Sequence, residues 1–284
     1  MIWIFMPAFN EENAILTLLE KVTAGLQGWE YKIVVVDDGS SDKTSLLLRE
    51  VSHKYPLQLV THPINRGLGE TERDGFEYVA VHSKHDDIVV RVEGDNTHEP
   101  EYILDLITMI NQGYDVVNTS RFRPGGGQLG LDFQRKFISR CANLFMQIVF
   151  NIKGVRDYSC GFRAYRAGVI QDAIALYGNN FIQLKGIGFT STLEILVKLK
   201  LMGCKFAEVP FVLRYDLKQG KSKMVGSITT VGYLLLALFY HWPFGGWKNH
   251  YRSLGKIYQQ DRQTAVQKFR EQKVQNSFPT KINS

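Results

Sequence analysis

Short apolar runs alternate with amphipathic stretches through the first 120 residues, and this alternation limits the chain to few architectures. Ile2–Met6, Lys32–Val36, Leu57–Thr61, Ile88–Val92 and Asp115–Asn118 read as strands. Between them, helices are predicted from about Glu11, Asp42, Gly69 and Pro100. Asn10 before Glu11, Ser41 before Asp42, and Pro100 in a first turn mark their starts. Strand, helix, strand at this spacing predicts an α/β fold with a largely parallel, doubly wound sheet. Such sheets bind ligands beyond the carboxyl ends of their strands, so the residues that follow each run carry the functional information.

After Ile88–Val92 come Glu93, Gly94 and Asp95, two acids separated by one glycine. Carboxylates at a strand end offer oxygen ligands suited to Mg²⁺ or Mn²⁺, which would in turn hold the phosphates of a nucleotide. After Val34–Val36 come Asp37, Asp38, Gly39, Ser40, Ser41 and Asp42. Helix capping accounts for Ser41 and Asp42 but not for Asp37 and Asp38, which can accept hydrogen bonds from a nucleobase or ribose.

Farther along, Pro124-Gly125-Gly126-Gly127 is predicted to be a mobile loop. A long helix is expected over Asp132–Phe150, another near Ser191–Met202, and a strand near Lys205–Val209. Gly226–Phe244 is almost uncharged and rich in Leu, Tyr, Phe and Trp, yet it holds Ser227, Thr229, Thr230, His241 and Pro243. An interfacial or buried helix fits it better than a membrane span, which needs roughly 20 predominantly apolar residues. The division expected is a catalytic domain over 1–223, an apolar membrane-interfacial segment over 224–247 and a basic tail over 248–284.

That tail accounts for the whole formal charge of +6: Lys248, Arg252, Lys256, Arg262, Lys268, Arg270, Lys273 and Lys281 stand against Asp261 and Glu271. No nucleic-acid motif accompanies it, so a solvated or membrane-facing surface is the expected use and nucleic-acid binding is not. Cys141, Cys160 and Cys204 have neither CxxC spacing nor an even count, which argues against zinc knuckles and a disulfide framework. This cysteine usage fits a reducing, cytosolic setting, and Ile2–Met6, too short for a signal peptide and without a basic lead, reads as the first strand.

Four segments in order, Pro7-Ala8-Phe9-Asn10-Glu11-Glu12, Val35-Val36-Asp37-Asp38-Gly39-Ser40-Ser41-Asp42, Asn65-Arg66-Gly67-Leu68-Gly69 and Glu93-Gly94-Asp95, resemble family 2 glycosyltransferases of the GT-A fold. Further segments resemble the branch typified by dolichol-phosphate mannose synthase and related polyprenyl-phosphate hexosyltransferases. These are Ser120-Arg121-Phe122, Arg135-Lys136-Phe137-Ile138-Ser139-Arg140, Asp157-Tyr158-Ser159-Cys160-Gly161-Phe162-Arg163 and Gly220-Lys221-Ser222-Lys223-Met224. The resemblance covers roughly residues 3–225 and implies a Rossmann-like, mostly parallel sheet flanked by helices.

Carried over, the resemblance implies that Pro7, Phe9, Glu11, Asp37 and Asp38 line the nucleotide of a GDP- or UDP-hexose. Glu93, Asp95 and Thr97 would hold Mg²⁺ or Mn²⁺. Arg121, Arg135 and Ser139 would bind the phosphate of a dolichyl or undecaprenyl acceptor, where planar guanidinium donors suit phosphate. Lys221 and Lys223 would close over the diphosphate. The family's first metal-site acid is usually Asp, so Glu93 is a departure, and Cys160 stands where Ser is common. The reaction implied is metal-dependent inverting hexosyl transfer on the cytoplasmic side of a membrane, by a peripheral or weakly anchored protein. A saccharide acceptor would need a base, for which Asp157 is the candidate; a catalytically silent scaffold is the remaining alternative.

Overall fold

The computed structural model describes residues 1–218 and 226–268. In chain order the first half comprises β1 (Ile2–Ala8), α1 (Ile15–Gly25), β2 (Tyr31–Asp37), α2 (Thr44–Val51), β3 (Leu57–Thr61), α3 (Leu68–His82), β4 (Ile88–Arg91), α4 (Tyr102–Asn111) and β5 (Val116–Ser120). There follow β6 (Gly127–Leu129), α5 (Phe133–Phe150), β7 (Arg163–Arg166), α6 (Ala167–Tyr177), α7 (Thr190–Leu201), β8 (Phe206–Pro210), β9 (Val212–Arg214), α8 (Gly226–His241), α9 (Gly246–His250) and α10 (Leu254–Gln260).

One sheet runs β3-β2-β1-β4-β7-β5-β8. It is parallel except for β7, which lies antiparallel to both β4 and β5. Alternation along β1 sends Trp3 and Phe5 to one face and Ile4 and Met6 to the other. Each set joins its own apolar core: the first packs with Phe76 of α3, Ile170 of α6 and Leu196 of α7, the second with Leu18 of α1 and Ile107 of α4. Burial on both faces explains why the strands read as continuous apolar runs.

The expected mixed, mostly parallel α/β fold is borne out, and several elements were not announced by the sequence, among them β6, β7, β9 and α6. Strand β7 carries an arginine at each end and no β-branched residue. The glycine cluster is not a free loop throughout: Gly126 N donates to Arg123 O at 2.8 Å, and Gly127 opens β6, which pairs in parallel with β9.

The C-terminal segment also departs from a free tail over its described part. Residues 262–268 form a further helix, and Leu254, Tyr258 and Ala265 are buried in the core. Tyr258 Oη donates to Asp172 at 2.5 Å, and Arg262 Nη2 to Asp115 Oδ1 at 2.9 Å. Among the described residues no helix is long and apolar enough to cross a membrane.

Candidate active site

The β1 and β2 ends meet in register, Ala8 beside Asp37, and Asp38 N donates to Ala8 O at 2.9 Å. Asp37 is fully buried; its Oδ1 accepts from Ser40 N at 3.2 Å and Ser40 Oγ at 2.5 Å. Asp38 draws the following loop inward, because its Oδ1 accepts from Arg66 N at 2.9 Å and His62 Nδ1 at 2.7 Å, and its Oδ2 from Gly67 N at 2.8 Å. Gly39, at φ 69°, admits that loop, since a Cβ there would lie 2.4 Å from the Ile64 carbonyl carbon. His62 in turn meets Asp74 Oδ2 through Nε2 at 3.0 Å.

Asn10 does not cap α1. Its Oδ1 accepts from Ser41 N at 2.8 Å across the sheet edge, while Glu11 N donates to Thr44 Oγ1 at 2.7 Å. The two strand-to-helix loops thus form one laced floor that carries buried Pro7, half-buried Phe9 and buried Glu11 next to the Asp pair.

Glu93 and Asp95 follow β4, the neighbour of β1, and Gly94 brings their turn against that floor: a Cβ there would lie 2.9 Å from Pro7 O. Asp95 Oδ1 accepts from Thr97 N at 3.2 Å and Thr97 Oγ1 at 2.6 Å, and Oδ2 pairs with Lys218 Nζ. Burial opposes the Asp95 charge, but the Lys218 ammonium and the hydrogen bonds outweigh it and hold the carboxyl below its ordinary range. His98 is pushed down to about 4 by burial, and its neutral ring stacks on Phe162. Glu93 Oε1 accepts from Arg91 Nη1 at 2.5 Å.

Thr97, expected beside the metal as a ligand, spends its hydroxyl on orienting Asp95. Among the described residues no three acidic, His or Cys side chains converge as a complete metal cage. Two carboxylates at the rim of this floor nevertheless suit Mg²⁺ or Mn²⁺, which are commonly held by one or two carboxylates together with substrate phosphates and water.

At the C-terminal end of β5, Arg121 is gripped by Asp157: Nε to Oδ2 at 2.6 Å, Nη2 to Oδ1 at 2.7 Å and backbone N to Oδ2 at 3.1 Å. Ser159 Oγ accepts from the same Nη2 at 2.6 Å. Burial alone would raise the Asp157 proton affinity, but Arg121 more than reverses this and holds the carboxyl below its ordinary value. Asp157 is therefore the counter-ion that aims Arg121, which corrects its expected role as a base for a hydroxyl acceptor.

Arg135 and Ser139 lie one turn apart on α5. Asp132 caps that helix by accepting from Arg135 N at 2.7 Å, and Arg135 Nη1 reaches Tyr215 Oη at 3.4 Å. The ring centroid of Tyr215 lies 5.7 Å from Lys218 Nζ, so α5 and the Asp95 turn are linked through one short segment. Lys221 and Lys223 lie outside the described residues. Lys218 and His62 carry no local signal, because their partners are remote in sequence.

Residues 3–173 match the family described as Glycosyl transferase family 2. The chain belongs to that family. Among curated relatives of this family 2 member, the dolichol-phosphate mannosyltransferase of Pyrococcus furiosus is 33% identical over 78% of this chain and 59% of its own length. The undecaprenyl-phosphate 4-deoxy-4-formamido-L-arabinose transferase of Edwardsiella ictaluri is 32% identical over 69% of this chain and 58% of its own. The chain thus spans less than two thirds of these relatives. Glucosyl-3-phosphoglycerate synthase of Mycobacterium tuberculosis, solved with Mn²⁺, UDP and its product, superposes with a TM-score of 0.57 over 84% of this chain and 79% of that one, at 17% identity. At that identity the likeness is one of fold, and it agrees with the GT-A arrangement of the sheet.

Proposed function

We propose that this family 2 protein moves a hexosyl group from a nucleoside diphosphate sugar to a polyprenyl phosphate at a membrane surface, with a divalent metal. The observation that carries the lipid acceptor is the outer face of α5. Arg135 and Ser139 share that helix with the exposed apolar residues Phe133, Phe137, Leu144 and Ile148, of which Phe133 is 84% and Ile148 72% exposed. A soluble saccharide gives no reason for such a stripe beside phosphate-binding donors, whereas a phosphate at headgroup depth does. The curated relatives named above for dolichol phosphate and undecaprenyl phosphate support the same acceptor class.

In the reaction, an acceptor phosphate oxygen attacks the anomeric carbon as the bond to the diphosphate oxygen breaks, so the configuration inverts and a nucleoside diphosphate leaves. The attacking oxygen is already anionic, and no strong base is required. Arg121, preset by Asp157 and Ser159, and Arg135 hold the attacking phosphate in line. The Asp37 and Asp38 floor receives the nucleoside. Glu93 and Asp95 would hold a divalent cation, whose charge would offset that of the departing diphosphate, while Lys218 adds charge on the same side.

The test is turnover of UDP- and GDP-sugars with a short polyprenyl phosphate and Mn²⁺, with and without chelator, for the wild type, Asp95→Ala and Arg121→Ala. Chelator-sensitive glycosyl-lipid that both variants lose is the expected result. Product formed on a saccharide and not on lipid phosphate would overturn the acceptor assignment.

A further inference from the structure

A buried charge on an otherwise apolar strand needs a partner, and β4 ends in one. Arg91 is fully buried, and its guanidinium bridges two carboxylates: Nη2 lies 3.0 Å from Glu72 Oε1 on α3, and Nη1 lies 2.5 Å from Glu93 Oε1. Glu72 is equally buried, whereas Glu93 is 22% exposed and turns toward the cleft. Burial raises the Glu72 proton affinity and Arg91 works against that rise.

A third element makes room for the pair. A Cβ on Gly161 would lie 1.8 Å from Arg91 Nη1 and 2.7 Å from Glu93 Oε1, so only glycine admits the ion pair at this point. The cradle comes from helix α3, strand β4 and the turn before β7, and it converges on one oxygen of Glu93.

We propose that Arg91, itself fixed by Glu72, is a positioning residue for the metal-site carboxylate. It holds Glu93 Oε1 and thereby leaves Oε2 as the oxygen offered to the cation. The extra methylene of Glu93 relative to Asp fits this device, since the longer side chain reaches Arg91 while its second oxygen stays at the cleft. The loss of such an outer hydrogen-bond partner typically weakens metal binding roughly 10- to 100-fold. The inference rests on the metal assignment made under the proposed function.

The experiment measures Mn²⁺ affinity by electron paramagnetic resonance in the presence of saturating UDP or GDP, and nucleotide affinity without metal by calorimetry. The variants are Glu72→Gln/Arg91→Met, which removes the buried charges together, the triple variant that adds Glu93→Asp, and Arg91→Lys. Near-UV circular dichroism establishes that each is folded. In the double variant, Mn²⁺ affinity is expected to fall at least tenfold with metal-free nucleotide affinity unchanged, and the triple variant should regain most of the loss because a short acid needs no retraction. Arg91→Lys, whose single ammonium cannot serve both carboxylates in the same way, should show the same loss even where the double variant does not fold. A folded double variant or Arg91→Lys protein with wild-type Mn²⁺ affinity would overturn the positioning role. A wild-type protein that binds nucleotide but no Mn²⁺ would overturn the metal assignment along with it.

Discussion

Arg121 and Asp157 are coupled so tightly that neither can be altered alone without cost. Asp157→Asn leaves the buried guanidinium without its counter-charge, and breaking such a pair costs about 3–5 kcal/mol at neutral pH. The Asp157 carboxyl is depressed in the folded protein, so its contribution is present above the unfolded carboxylate pKa of about 3.9 and is lost as pH falls through the lower folded value. Thermal unfolding of the wild type and Asp157→Asn should therefore differ widely at pH 7 and converge in strong acid. A gap independent of pH would show that the charge of Asp157 is not what stabilises it. Lys218 permits a second expectation. Without metal, its ammonium is the cation beside Asp95, so Lys218→Met should weaken metal-free binding of UDP or GDP roughly tenfold, about 1.4 kcal/mol. Equal affinities by calorimetry in chelator would exclude that role.

Among the elements, the sequence made most of the parallel sheet legible because strands buried on both faces must be apolar throughout. Leu57–Thr61, a sheet-edge strand that is only partly buried, is nevertheless observed with the expected bounds, and α5 begins at Phe133 after the Asp132 cap. Strand β7 escaped because Arg163 and Arg166 break the apolar run, and their guanidinium groups donate in part to groups remote in sequence, Thr192 O at 2.5 Å and Ile110 O at 2.5 Å. The carboxylates at strand ends were readable; their controllers were not. Lys218 lies 123 positions from Asp95, a separation that no local pattern encodes. Arg91 left a usable signal, a lone charge between Val90 and Val92. Helix α5 is legible in a different way, since its buried side holds Asn143, Met146 and Phe150 while Phe133, Phe137, Cys141, Leu144 and Ile148 repeat on the exposed side. Phe137→Glu/Ile148→Glu should cut vesicle binding and transfer to a long-chain lipid phosphate at least tenfold, about 1.4 kcal/mol. Turnover of a short, water-soluble acceptor phosphate should be spared. Equal losses on both acceptors would mean that the stripe supports the fold and not the lipid.

At the scale of the whole molecule, α8 extends the same surface. Thr229, Gly232, Leu236 and Tyr240 face inward, whereas Ile228, Val231, Leu234 and Leu238 are exposed, followed by Trp242 and Phe244. The ends of α5 and α8 are pinned together: Phe150 meets Tyr240 edge-on at 5.3 Å between ring centroids, and His241 Nε2 lies 3.2 Å from Val149 O. Behind them, buried Lys198 lies 3.5 Å from the Trp247 ring centroid and helps fasten α9 to the core, so the surface is backed by folded protein. Arg135, Arg140, Lys248 and Arg252 are exposed on these segments and supply positive charge around the apolar face. In the membrane attachment proposed above, two forces of different range would act. Attraction to anionic headgroups is screened within a Debye length of about 10 Å at 0.1 M salt, while apolar insertion is not. Flotation with anionic vesicles should weaken severalfold between 0.05 and 0.5 M salt and then level off, and neutral vesicles should show only the salt-insensitive part. Binding that vanishes at high salt would assign attachment to charge alone, and the exposed stripes of α5 and α8 would then need a protein partner to cover them.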